Sequence, residues 1–194
     1  MRSMNRNVIS TGDVIPRHEV RAALGDSVSI PSSGELIHLQ FRRFAGCMVC
    51  NLHLKSIVDR YPEIALAGIR EVVIFHSTTD EIRKHEADLP FSVIGDPYKR
   101  LYRDFGVETS PRALLDPHVV QALPRALANV VSSVAGHRQP APPAIPTGGE
   151  LGLPADFLID GEGRVLAVKY GIHAYDQWSV DELLAYAASW RRAG

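Results

Sequence analysis

The sequence predicts a single α/β domain whose sheet has parallel neighbours and whose regular order is interrupted by an inserted segment. Two observations carry this expectation. Between residues 27 and 107, apolar runs of strand length alternate with segments that repeat apolar residues every three or four positions. The alternation stops after Thr109 and resumes at Ala155, leaving about 110–150 as an insertion dense in proline and glycine. The chain's 194 residues suit one domain with a substantial core.

Residues 1–26, polar and without a sustained period, read as an N-terminal arm, and 27–194 as the domain. Residues 27–30 and 35–41 are expected to form two strands joined as a hairpin through Pro31-Ser32-Ser33-Gly34. Cys50, Leu54, Ile57, Val58 and Tyr61 mark one face of a helix that Pro62 closes. Residues 71–76 are nearly all apolar, as in a strand buried on both faces. Thr78 and Glu81 have capping-box spacing for a helix to about residue 87. Residues 91–94 are the next strand, and Asp96, Pro97 and Gly106 are the cap, first residue and exit of the helix after it.

Within the insertion, apolar positions from Val119 to Val134 predict two helical pieces broken at Pro124. Their apolar face is expected to pack on the domain, with a homodimer contact as the second reading. Residues 155–159 and 164–170 form a hairpin around Asp160-Gly161-Glu162-Gly163, and Ser179 with Glu182 caps the last helix.

Twenty-one Lys+Arg against 22 Asp+Glu leave a formal charge of −1, so neither a nucleic acid nor an acidic membrane is the expected partner. No stretch approaches the roughly 20 apolar residues of a membrane helix, and the first residues lack a secretory apolar core, so a cytoplasmic protein is expected. Gly148-Gly149 and Gly161 with Gly163 lack the context of a phosphate loop and read as turns.

The two cysteines are Cys47 and Cys50. A thiol attacks as thiolate, and a helix N-terminus favours that form through its free N–H groups and positive dipole end. Cys47 stands there and is the expected nucleophile. Cys50, one turn inward, is close enough to form a disulfide with it and is the expected resolving thiol. Arg43 precedes the motif and is a candidate stabiliser of the thiolate. His76 closes a strand at its carboxyl end, where ligand sites of open α/β sheets gather, and is a candidate base or thiolate partner, or else a structural histidine. No metal or other cofactor is called for. The alternatives are two unreactive buried cysteines, or a zinc site of Cys47, Cys50 and His53 completed by His76 or His85.

The segment Phe41-Arg42-Arg43-Phe44-Ala45-Gly46-Cys47-Met48-Val49-Cys50, with Asp96-Pro97, Phe105-Gly106-Val107 and Leu153-Pro154-Ala155-Asp156-Phe157-Leu158-Ile159-Asp160, resembles the thioredoxin-fold peroxiredoxin-like group of the alkyl hydroperoxide reductase and thiol-specific antioxidant type. The resemblance covers about residues 35–107 and 153–190. It implies a thioredoxin-like fold: a central mixed β-sheet flanked by helices, here with the inserted segment. It also implies an antioxidant thiol enzyme that reduces peroxides or disulfides through a Cys47–Cys50 cycle, recharged by a thioredoxin- or glutaredoxin-type dithiol. Pro154 matches the family's cis proline packed against the cysteines, and Leu153 the residue offering its backbone to substrate. Arg112 is a candidate for the distal arginine by order. The family's Pro-x-x-x-Thr-x-x-Cys is absent, with Gln40 and Phe44 in place of proline and threonine. A protein disulfide oxidoreductase and a non-catalytic module of the same fold therefore stand as alternatives.

Overall fold

The computed structural model describes residues 8–25, 27–110, 117–135, 147, 149 and 151–193. Strands β3 (Leu36–Arg42), β4 (Ile69–Phe75), β5 (Ser92–Gly95), β6 (Ala155–Ile159) and β7 (Val165–Tyr170) form one sheet in the order β5-β4-β3-β6-β7. The first three are parallel and the last two antiparallel to their neighbours. Helices α1 (Met48–Asp59), α2 (Tyr61–Leu66), α3 (Thr79–His85), α4 (Arg100–Asp104), α5 (Pro117–Ala135) and α6 (Val180–Ala193) flank the sheet, giving the mixed architecture that the resemblance implies.

Every residue of β3 is buried, as a central strand covered on both faces requires. Ile37, Leu39 and Phe41 enter a core with Val72, Ile74, Phe157, Tyr102 and Phe105 on the α4 side. The opposite core joins Val73, Phe75 and Leu158 to Leu54 and Ile57 of α1 and to Leu183 of α6.

The expected hairpin of 27–30 with 35–41 does not form. β2 (Ser27–Ile30) pairs with β1 (His18–Arg21), while β3 lies between β4 and β6. The chain between them turns from the small ribbon into the sheet, because a fully buried seven-residue strand needs long partners on both edges and four-residue β2 supplies too few ladder bonds. Besides holding β1, the N-terminal segment runs along the start of β7, with Gly12 N–H donating to Val165 (2.8 Å) and Ile15 N–H to Gly163 (2.9 Å).

The Thr78/Glu81 capping box is present, and Ser179 and Glu182 exchange the same bonds ahead of α6. Pro62 opens the short helix α2 rather than only closing α1. Asp96 caps α4 from four residues ahead, accepting N–H bonds from Arg100 and Leu101, and Gly106 at φ 68° ends it.

Among the described residues of the insertion, the apolar positions from Val119 to Val134 lie on one helix rather than two. α5 runs through Pro124, which with Val120 lies on the exposed face. The carbonyl that loses its N–H partner therefore faces water, while buried Val119, Ala122 and Ala126 keep the other face packed and α5 lies against α1. Arg112 and most of 136–150 fall outside the described residues.

Candidate active site

The Cys47–Cys50 pair sits where β3 hands over to α1. The intervening loop is fixed from two directions. His76 N–H donates to the Arg43 carbonyl (3.0 Å) and Ala45 N–H to Ser77 Oγ (3.0 Å), tying the loop to the end of β4. Gly46, at φ 81°, directs its N–H to Glu86 Oε1 just past α3 (2.7 Å). Cys47 is then the N-cap of α1, and its Sγ accepts the Cys50 N–H at 3.4 Å. No acidic residue lies in the first turn of α1, so the positive end of the helix dipole meets the sulfur uncancelled.

Both thiols are free and buried, at 2% and 1% exposure. Cys50 donates its S–H to Cys47 Sγ at 2.8 Å, and Arg43 Nη1 lies 3.6 Å from the same sulfur. Burial alone would raise the Cys47 thiol. The Cys50 hydrogen bond, the Arg43 charge and the N–H groups of Cys50 and Val49 outweigh it and bring the thiol down to about 6. Burial pushes Cys50 well up, and its bond to Cys47 and the neighbouring thiolate charge push it further. The pair is thus asymmetric, with a thiolate at the helix start and a protonated donor one turn inside.

His76 follows directly on Phe75, the last residue of β4, and neither of its ring nitrogens has a hydrogen-bond partner, so it is not bonded to Cys47. It lies between Phe44 and Tyr102, at ring separations of 6.4 and 5.7 Å. Burial foremost, then the charge of Lys99, lowers its pKa to about 3, which keeps the imidazole neutral. Gly152 covers it: a Cβ built there would stand 2.6 Å from His76 Nε2 and 3.6 Å from Arg43 Cα.

The Leu153–Pro154 peptide bond is trans; the cis bond among the described residues is Ile30–Pro31. Residues 108–110 and 151–153 pair antiparallel around the Thr109–Gly152 bridge, and Leu153 N–H is engaged with the Glu108 carbonyl at 3.0 Å. Pro154 accepts from Gly171 N–H. This pairing gives the segment its extended path and sets Gly152, rather than Pro154, against the Arg43–His76 wall. Leu153 and Pro154 line a separate cleft of about 360 Å³ with Val107, Ser110, Tyr170 and Gly171.

His53 turns into the protein. Burial, then the Arg42 charge, lowers its pKa to about 3, and its Nε2 is unpartnered. Among the described residues no group of three His, Cys, Asp or Glu side chains converges as metal ligands would.

Sequence reasoning missed three features. Gly152 is one and Glu86 another. The third is a charged layer along β3: His38 bonds Glu71 (2.9 Å) and Asp156 (3.2 Å), Arg42 bonds Asp156 (2.6 Å) and Gln40 (2.5 Å), and Gln40 donates to Glu71. Burial opposes charge on His38, but the two carboxylates raise it to about 9. The available signal was His38, Gln40 and Arg42 at alternate positions of an otherwise apolar strand, all pointing to one face.

No protein-family model matches the chain, and no curated protein matches it in sequence. Solved structures do match in shape. The peroxidoxin BcpB from Mycobacterium tuberculosis has a TM-score of 0.66 at 16% identity, over 93% of this chain and 97% of that one. A mutant of the peroxiredoxin 6 of Arenicola marina gives 0.67 at 14%, over 94% and 74%. A candidate thiol:disulfide interchange protein DsbE from Chlorobium tepidum gives 0.59 at 19%, over 92% and 99%. These likenesses concern the backbone, and they establish that the chain has the thioredoxin-like fold that peroxiredoxins and a DsbE-type protein share.

Proposed function

We propose that the protein is a peroxiredoxin-like thiol oxidoreductase that reduces peroxides or disulfides through a Cys47–Cys50 dithiol/disulfide cycle. The asymmetry of the pair carries this reading: one sulfur receives Arg43, a thiol hydrogen bond and helix N–H groups, while its neighbour is held protonated. The Cys47 thiolate attacks a peroxide oxygen to give a sulfenic acid, or a disulfide sulfur to give a mixed disulfide. Cys50 then attacks Cys47 Sγ, releasing water or the substrate thiol and closing the intramolecular disulfide. A thioredoxin- or glutaredoxin-type dithiol restores the reduced pair.

Peroxide is favoured by access. With Cys47 at 2% exposure and α5 packed on α1, a small molecule reaches the sulfur with less displacement than a protein disulfide does. The second reading, a protein disulfide oxidoreductase, is favoured by Phe44, which removes the hydroxyl the peroxiredoxin pattern places three residues before the cysteine. Mass spectrometry after limiting hydrogen peroxide separates the two. In Cys50→Ser protein a sulfenic acid on Cys47 is expected, and in Cys47→Ser protein peroxide consumption is lost. An unmodified Cys47 in the first variant removes the peroxide assignment, and exchange with a model disulfide by the same protein then favours the second reading.

A further inference from the structure

Glu86 has no place in the cycle described so far, yet its carboxyl is built into the base of the site. It is 3% exposed, and both its contacts belong to the cysteine segment: Gly46 N–H immediately before Cys47, and the side chain of Asn51 one turn after it. Asn51 N–H in turn bonds the Cys47 carbonyl. Among the described residues no Lys or Arg pairs with Glu86; Arg83 and Lys84 of its own segment are exposed, and Arg43 is directed at Cys47. His85, beside it, is held below its ordinary value by burial first and then by Lys84. The titratable group acting on Glu86 from across the site is therefore Cys47.

We propose that Glu86 is the proton store of the thiol pair, a carboxylic acid while Cys47 is a thiolate and a carboxylate once the disulfide has closed. This rests on the redox reading above and extends it. Burial without a cation disfavours the carboxylate, and a thiolate nearby disfavours it further. Burial and then the Cys47 charge place the carboxyl at about 8, against the bonds from Gly46 and Asn51, while the thiol lies at about 6. Near neutrality the reduced site thus holds one negative charge, on sulfur. Oxidation removes that charge, and since the coupling is reciprocal the carboxyl becomes more acidic.

The protons balance for a peroxide ROOH. The thiolate forms an S–O bond as O–O breaks, the leaving alkoxide becomes ROH with the Glu86 proton, and Cys50 attacks the sulfenic sulfur. The hydroxide then leaves with the Cys50 proton as water. The net change converts thiolate, thiol and carboxyl into disulfide and carboxylate, with two electrons passed to the peroxide.

The test is the midpoint potential of the purified full chain between pH 7 and 8, in glutathione redox buffers, for the unmodified protein and for Glu86→Gln. Reduction of the unmodified protein should take up more than one and up to two protons per electron pair, and reduction of the variant one. The pH dependence of the variant is therefore expected to be shallower by up to a factor of ten in equilibrium constant per pH unit, about 30 mV. Reduced-minus-oxidised infrared spectra of the unmodified protein should show a protonated carboxyl stretch lost on oxidation, which decides the matter even where the variant does not fold. Equal slopes, or no carboxyl signal, overturn the role of Glu86 while leaving the disulfide cycle standing. Failure of the unmodified protein to form the Cys47–Cys50 disulfide overturns the cycle and the proton store together.

Discussion

Single atoms around Cys47 set its reactivity. Replacing Arg43 by Met removes a positive charge 3.6 Å from Sγ, and the Cys47 thiol should titrate roughly one unit higher, as expected when an opposite charge is withdrawn. Ultraviolet absorbance of the thiolate against pH measures this, and an unchanged curve would show that the Cys50 hydrogen bond and the helix terminus govern the sulfur without Arg43. Gly152 offers a steric test. A methyl group there must displace the His76 ring, so Gly152→Ala is expected to cost about 1–3 kcal/mol of stability in urea unfolding. Unaltered stability would mean that His76 swings aside freely. The cysteine spacing displays the reactive pair openly in the sequence. Gly152 and Glu86 do not, because each acts on residues scores of positions away and neither carries a local motif.

At the level of elements, the short-range signals, the C-terminal hairpin among them, were legible and the long-range pairings were not. Both capping boxes formed, since each depends on side chains only three residues apart. Thr78→Ala should lower stability by about 1 kcal/mol through loss of the bond to Glu81 N–H, and a thermal melt comparing it with Thr78→Ser should show the serine variant recovering most of that. Strand partnership is a different kind of fact. Turn residues between 27–30 and 35–41 are compatible with a hairpin or with a change of sheet, and the choice fell to whichever arrangement filled both edges of β3. Pro124 illustrates the same limit: its effect on a helix depends on whether the freed carbonyl meets water, which the sequence alone does not state.

Across the whole molecule, the charged layer of β3 makes the core sensitive to substitution and to pH. Asp156→Ala leaves Arg42 and His38 buried without their shared carboxylate and should cost about 3–5 kcal/mol, readable as a loss in denaturant midpoint. The pH profile follows from shifts of both signs. His53 and His76 are depressed from 6.5 to about 3, so the unfolded chain binds more protons below pH 6.5, and each removes about 1.4 kcal/mol per pH unit as pH falls. His38, raised to about 9, contributes stability that is complete below 6.5 and is lost as pH rises towards 9. Glu86, raised from 4.5 to about 8, also loses stability with rising pH across that range, while Cys47, lowered from 9.0 to about 6, gains it. The sum places maximal stability of the reduced protein near pH 6.5. Urea midpoints rising steadily from pH 6.5 to 8.5 would contradict that balance.

The sequence by itself determined the α/β alternation, the capped helices, the C-terminal hairpin and the position of Cys47 at a helix start, because these depend on periodicity and on residues within a turn of one another. Only the tertiary structure decided that β3 pairs with β4 and β6, that Pro154 is trans with Gly152 over His76, and that Glu71 and Asp156 hold a charged layer under α1. It also brought Glu86 beneath Cys47. These arrangements depend on which distant surfaces share a dry interior, where an unpaired hydrogen bond or charge is costly, and that cost is set by the packed molecule rather than by the local order of its residues.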